Sequence, residues 1–270
     1  MQLIGPPMTQ PPATHIEPIR DASRQVVRAL GFLRPGLAGT DLPVNLEMAA
    51  TEEMVEIALR HKPHGVMAVL GPYNFPAHLP NGHIVPALIA GNAVLFKPSE
   101  KTPAVGEALV ACFHRAGVPE DVIQLVIGGP EEGKALVAHP GVDGVLFTGS
   151  ANAGIAINRK LASNPGKIVA LEMGGNNPIV VIDTPKLADA ATLILQSAFT
   201  TAGQRCTAAR RLIVKASMYD PLIAEVKRLA DRIIVGAPFD EPSPFMGPVI
   251  DNEAADGLTE SFLYLLSNGG

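Results

Sequence analysis

From Gly65 onward, short apolar runs alternate with longer segments of helical character, and this alternation restricts the fold more than any other feature. Parallel strands joined by crossover helices have this pattern, because strands that are covered on both faces are apolar throughout. We therefore predict an α/β fold built on a parallel sheet. The predicted strands cover residues 66–70, 93–96, 122–127, 144–147, 168–171, 179–182 and 210–214.

The ends of two helices can be read from their flanking residues. Thr102-Pro103 combines a capping side chain with a proline at the first helical position, and Gly117 is the residue type that ends a helix. Asp183-Thr184-Pro185 repeats the start signal and predicts a helix that reaches about residue 200.

Charge and composition exclude several classes of protein. The formal net charge is -5 and the basic residues are scattered, so neither nucleic acid nor an acidic membrane surface is an expected partner. The longest apolar stretch, residues 84–96, is too short and too interrupted to span a bilayer, and no secretory signal opens the sequence. Two cysteines at unrelated positions favour a reducing cytoplasm. A small-molecule ligand is the expected partner.

Cys206 is the first candidate for chemistry. It lies between an apolar helix and a predicted strand, among small polar residues, and such junctions expose side chains to clefts. Arg205 beside it would favour the thiolate, which is the reactive form. Taken alone, a single cysteine is more often a buried small hydrophobic residue, and Cys112 in an apolar helix fits that description.

Two further polar residues follow predicted strands. Glu172 comes directly after a strand that is expected to be buried and precedes two glycines, where burial would suit it for a general base. Asn74 lies in the turn Gly71-Pro72-Tyr73-Asn74-Phe75-Pro76, where its amide could donate to a developing oxyanion. In isolation, each is better explained as an ordinary loop or turn residue.

Two glycine-rich segments are typical of nucleotide contacts. Residues 149–154 follow a predicted strand and open a helix, so their amides could meet a phosphate, although the usual G-x-G-x-x-G spacing is absent. Residues 128–135 nearly spell a P-loop, which keeps a nucleoside triphosphatase open as an alternative. Against that alternative, Ala135 lacks the required hydroxyl, and Glu131 and Glu132 would face the phosphates. The spacing of the histidines predicts no metal site.

Taken together, five motifs resemble the NAD(P)-dependent aldehyde dehydrogenase superfamily in type and order from about residue 63 to 270. They are Gly71-Pro72-Tyr73-Asn74-Phe75-Pro76, Lys97-Pro98-Ser99-Glu100, Phe147-Thr148-Gly149-Ser150, Leu171-Glu172-Met173-Gly174-Gly175 and Gly203-Gln204-Arg205-Cys206. The resemblance implies that Cys206 is the nucleophile, Glu172 the general base and Asn74 an oxyanion donor. The segments around Asn74 and Glu172 look most like a branch that oxidises a dicarboxylic semialdehyde in arginine breakdown.

The resemblance also implies the cofactor and its contacts. Lys97 and Glu100 would bind the adenosine ribose, and an acidic side chain there favours NAD over NADP. The pyrophosphate would lie at the loop formed by Gly149, Ser150, Ala151, Asn152, Ala153 and Gly154. Intact relatives are expected to be homo-oligomers.

The expected organisation has three parts, which are a poorly defined region over residues 1–62, an NAD-binding domain over 63–174 and the first part of a catalytic domain over 175–270. Family subunits extend further, and the later E-x-F-G-P segment has no counterpart in the sequence. A second interpretation therefore stays open, in which the chain is an inactive truncated fragment of such a dehydrogenase.

Overall fold

The computed structural model describes residues 65–269. The chain divides into two compact units, with the boundary between Glu172 and Met173. The N-terminal region expected over residues 1–62 lies outside the described residues. The domain limits at 63–174 and 175–270 stay a prediction.

A five-stranded sheet forms the centre of the first unit. Its spatial order is β3-β2-β1-β4-β5, and β1 pairs in parallel with β2 and β4, as does β2 with β3. This order of the first four strands is that of dinucleotide-binding folds, and the α/β class with a parallel sheet is confirmed. The strands are β1 (Val66–Leu70), β2 (Ala93–Lys97), β3 (Ile123–Leu125), β4 (Gly144–Gly149) and β5 (Ile168–Met173).

Helices cover both faces of this sheet. They are α1 (His78–Ile89), α2 (Pro103–Arg115), α3 (Pro130–Ala138) and α4 (Ala151–Leu161). Successive residues of β1 point to opposite faces: Met67 and Val69 join one buried cluster, and Ala68 and Leu70 join the other. This two-sided burial is the reason why β1 is apolar at every position.

The predicted ends of α2 are largely correct. Pro103 is the first helical residue, and Gly117 follows the helix with a φ of 95°, a left-handed conformation that favours glycine. Thr102 occupies the capping position, but its side chain makes no capping hydrogen bond, contrary to the prediction. The fixed φ of Pro103 therefore starts the helix without that bond.

The second unit is built on a smaller parallel sheet of β6 (Asn177–Val181) and β7 (Ala209–Val214). Its helices are α5 (Leu187–Phe199), α6 (Tyr219–Ala230) and α7 (Asn252–Ser267). A small core of Ala191, Ile194 and Leu222 packs against one face of the sheet. Val180 on the other face is 56% exposed, and α7 contains no buried residue. Parallel sheets are normally covered on both faces, so part of this apolar surface has no cover within residues 65–269.

Within 65–269, no helix combines the length and the apolar character that a bilayer span requires.

Candidate active site

The carboxyl ends of β1, β2 and β4 gather most of the predicted site residues of the first unit at one edge of the sheet. Asn74 follows β1, Lys97 ends β2, and Gly149 ends β4. Because these strands are parallel, their carboxyl ends meet at the same edge, where open α/β sheets bind ligands. The strand order reverses between β1 and β4, so the switch point lies between the Asn74 turn and the Gly149 loop.

Close contacts of Gly71 with Lys97 and Pro80 shape the turn that carries Asn74. Gly71 donates its backbone N–H to the carbonyl of Lys97 over 2.9 Å. A Cβ at Gly71 would come within 2.7 Å of the Pro80 ring, so only glycine fits there. Asn74 is half-buried and has a polar or ring contact within the structure.

Lys97 and Glu100 form an ion pair next to a small groove. Lys97 Nζ lies 3.7 Å from Glu100 Oε2 and donates to the carbonyl of Pro98 over 3.1 Å. The Lys97 side chain is only 7% exposed, whereas that of Glu100 is 51% exposed and available to a ligand. The groove of about 90 Å³ beside them is lined by Pro98, Ser99, Glu100, Pro103, Ile127 and Gly128. A hydroxyl-accepting carboxylate beside an apolar wall suits a ribose and its attached base.

The loop at residues 149–154 opens α4 as predicted. The side chain of Ser150 accepts a hydrogen bond from the N–H of Ala153 over 3.3 Å and caps the helix. The first N–H groups of a helix have no partner inside it, which leaves those of Ala151 and Asn152 directed outward. Both residues are exposed. The donor set therefore fits a phosphate.

The near P-loop is a capped helix start. Glu132 Oε2 accepts the N–H of Gly129 over 2.7 Å, and Lys134 Nζ pairs with Glu131 over the same distance. The backbone amide and the lysine that a phosphate would need are thus both engaged by carboxylates. This geometry argues against the nucleoside triphosphatase alternative.

His83 on α1 contacts the end of β4. Its Nε2 lies 3.1 Å from the hydroxyl of Thr148, the residue before Gly149. Burial lowers the pKa of His83 below its ordinary value of 6.5, and the negative charge of Glu172 opposes that shift. Sequence reasoning considered His83 only as a partner for a dicarboxylic substrate and gave Thr148 no role, although a hydroxyl directly before a phosphate-type loop was a usable signal.

Glu172 differs from its predicted environment. The residue lies within β5, near the end of that strand, and is exposed rather than buried. Alternate residues of a strand point to opposite faces, so Glu172 points away from the buried cluster against which Val169 and Leu171 pack. The prediction of a buried carboxyl was wrong.

Cys206 lies in the second unit, on the connection between α5 and β7, and is exposed. Asn177 Nδ2 donates to its backbone carbonyl over 2.6 Å, and Gln204 Oε1 accepts the N–H of Ile250 over 2.9 Å. Upstream, Thr201 and Ala202 have positive φ values of 57° and 55°, which are strained for non-glycine residues. The loop is thus held by side-chain hydrogen bonds against local strain.

The second cysteine differs from its expected environment. Cys112 is half-buried rather than buried, and its sulfur accepts a hydrogen bond from Arg115 over 3.1 Å. Because α2 is a surface helix, this side chain lies at the border of its apolar face. Within residues 65–269, no three metal-binding side chains cluster closely enough to hold a metal ion.

The two units together define an α/β protein that has a dinucleotide-type sheet edge in one unit and an exposed cysteine loop in the other. The chain belongs to the aldehyde dehydrogenase family, whose profile matches residues 15–269. It is 84% identical over 213 residues to the N-succinylglutamate 5-semialdehyde dehydrogenase of Novosphingobium aromaticivorans. That match covers 79% of this chain and 45% of the relative. The enzyme of the same name from Sphingopyxis alaskensis is 71% identical, and that match covers 79% of this chain and 44% of the relative.

Solved structures give the same fold. An NAD-dependent aldehyde dehydrogenase from Sinorhizobium meliloti matches with a TM-score of 0.72 and 30% identity, over 77% of this chain and 41% of that one. Proline utilization A from Bradyrhizobium japonicum matches with a TM-score of 0.72 and 39% identity, over 76% of this chain and 21% of that one. The chain spans less than half the length of these relatives.

Proposed function

We propose that this chain carries out the oxidation of an aldehyde to a carboxylic acid, with Cys206 as the nucleophile. The observation that carries the proposal is the exposed thiol of Cys206 on a loop held in place by Asn177. A thiol must be reachable for attack on a carbonyl, and its backbone must be fixed for orientation.

In the proposed reaction, the sulfur of Cys206 attacks the aldehyde carbon and forms a thiohemiacetal. The amide of Asn74 and the backbone N–H of Cys206 stabilise the oxyanion. Loss of hydride from the adduct leaves a thioester on Cys206. Glu172 then takes a proton from water, which attacks the thioester, releases the acid and restores the thiol. An exposed Glu172 is reachable by that water.

NAD is the proposed cofactor and, when bound, accepts the hydride. Lys97 and Glu100 would hold its adenosine ribose, and the exposed carboxylate of Glu100 disfavours an added 2′-phosphate. The outward-facing amides of Ala151 and Asn152 would meet the pyrophosphate, together with Gly149, Ser150, Ala153 and Gly154. The lining of the 90 Å³ groove supports this placement.

The proposed substrate is N-succinyl-L-glutamate 5-semialdehyde, oxidised to N-succinyl-L-glutamate in arginine breakdown. Identities of 84% and 71% to dehydrogenases named for that semialdehyde support it. We place the reaction in the cytoplasm, where Cys112 and Cys206 would persist as thiols. Self-association is proposed by analogy with the longer relatives, and sedimentation of the purified chain tests it.

The decisive experiment follows NADH formation by the purified chain with this semialdehyde. Cys206→Ala is expected to abolish turnover, while the matched variant Cys112→Ala keeps it. Iodoacetamide should label Cys206 faster than Cys112, because Cys206 is exposed and Cys112 is half-buried. Turnover that survives Cys206→Ala, or labelling of Cys112 alone, would overturn the proposal.

A second candidate is that the chain binds its ligands without turning them over. The observation in its favour is α7, which has no buried residue within residues 65–269 although it carries several large apolar side chains. On this reading, Cys206 still reacts with iodoacetamide and the wild-type chain forms no NADH. Any NADH formation that depends on Cys206 excludes it.

A further inference from the structure

His83 and Thr148 join two elements on either side of the strand-order switch. His83 belongs to α1, which follows the Asn74 turn, and Thr148 is the last residue of β4 before Gly149. The distance of 3.1 Å between His83 Nε2 and Thr148 Oγ1 is that of a hydrogen bond. The bond ties the helix after the proposed oxyanion donor to the strand that carries the proposed phosphate loop.

The contact between His83 and Thr148 is partly buried, so the Thr148 hydroxyl depends on a partner inside the protein. Thr148 is only 9% exposed, and a buried hydroxyl needs a partner inside the protein. His83 supplies a ring nitrogen from a half-buried position. Loss of the ring would therefore leave the Thr148 hydroxyl to find another partner, and the end of β4 would move to provide one.

The charged surroundings of His83 are simple. Neither β1 nor β4 contains a titratable residue, and on β2 Lys97 is engaged by Pro98 and Glu100. From β5, Glu172 acts on the imidazole and favours its protonated form. Desolvation is the larger effect and lowers the pKa of His83, which favours the neutral form of the ring.

We propose that His83 is a positioning residue of the cofactor site, which holds the Thr148 hydroxyl and thereby fixes the loop at residues 149–154 for a dinucleotide phosphate. This inference rests on the proposed use of NAD.

Calorimetric titration of the full chain with NAD tests the contact. His83→Leu and Thr148→Val are each expected to raise the Kd for NAD about 3- to 10-fold, the effect of one lost hydrogen bond. The double variant should be no weaker than either single variant, because both remove the same bond. His83→Gln should bind almost as the wild type does, since its terminal amide reaches the position of Nε2.

His114→Gln is the matched control. This histidine lies on α2, and its Nε2 is 3.0 Å from the carbonyl of Ile123 in the body of the first unit. The variant should leave NAD affinity unchanged. Wild-type affinity in His83→Leu, additive losses in the double variant, or failure of His83→Gln to restore binding would each overturn the positioning role.

An NMR titration of the histidine rings separates this inference from the proposed function. Glu172→Gln should lower the titration midpoint of His83, because the favourable negative charge is removed. Thr148→Val should shift the ring signals of His83. A wild-type chain that does not bind NAD would refute the proposed cofactor, whereas unchanged His83 signals in both variants would refute the contact itself.

Discussion

Asn177 donates its side-chain amide to the backbone carbonyls of Cys206 and Ala208, over 2.6 Å and 3.0 Å. One residue at the start of β6 therefore holds both the proposed nucleophile and the residue before β7. Family resemblance points to Cys206, but it is this pair of hydrogen bonds that shows what fixes the cysteine in place.

Asn177→Ala is expected to loosen the Cys206 loop. Loss of the two bonds should lower the free energy of unfolding by about 1 kcal/mol, and NADH formation by about 10- to 100-fold because the nucleophile is misplaced. Urea unfolding and the NADH assay measure the two effects. Asn176→Ala is the matched control, since Asn176 uses its backbone carbonyl, not its side chain, to bind Arg211. Equal behaviour of the two variants would contradict the prediction.

Ser150→Asp separates helix capping from phosphate binding. Aspartate caps a helix as well as serine does, so the urea midpoint should stay close to that of the wild type. The added negative charge should repel a pyrophosphate at the outward-facing amides and weaken NAD binding at least about tenfold, a typical scale for a poorly placed charge. Ser163→Asp, just beyond the other end of α4, controls for charge alone. Unchanged NAD affinity in Ser150→Asp would place the pyrophosphate elsewhere.

Glu132 should make stability depend on pH at the acid end. Hydrogen bonds from its own backbone amide and from that of Gly129 lower the pKa of Glu132 below its ordinary value of 4.5. A carboxyl with a lowered pKa in the folded state stabilises the fold above its unfolded pKa, and this stabilisation is lost as the pH falls through the folded pKa. The difference in unfolding free energy between wild type and Glu132→Gln should therefore be constant near neutral pH and shrink below about pH 4.5. Urea titrations at several pH values measure it, and a difference that grows toward acid would have the wrong sign.

The sheet was predictable because its strands are apolar on both faces. The predicted strand at residues 66–70 coincides with β1, and most other strands differ by one or two residues at an end. The helix α1 was not indicated, since Pro80, Gly82 and Pro86 disturb its pattern. Burial of Ile84, Val85 and Leu88 against the sheet holds these residues in a helix, and tertiary contacts of that kind are not visible in local sequence.

The sequence predicted where the candidate site residues lie along the strands better than it predicted their environments. The ordered motifs placed Asn74, Lys97 and Gly149 at strand ends, where the structure has them. Burial of Glu172 depended on what covers each face of β5 at its end, and such tertiary coverage is not written in the strand itself. The contact between His83 and Thr148 joins residues 65 positions apart, so no local spacing could reveal it.

Two leucines of the second unit, Leu222 and Leu263, should differ sharply in their contribution to the free energy of unfolding. Leu222 is fully buried in the core beside Ile194, and Leu222→Ala should cost about 2–5 kcal/mol of unfolding free energy. Leu263 on α7 is 58% exposed, and Leu263→Ala should change that free energy by less than about 0.5 kcal/mol. The same change removes exposed apolar surface, so light scattering should show less self-association of the purified chain. A loss of stability in Leu263→Ala as large as in Leu222→Ala would mean that α7 is packed against another part of the protein in solution.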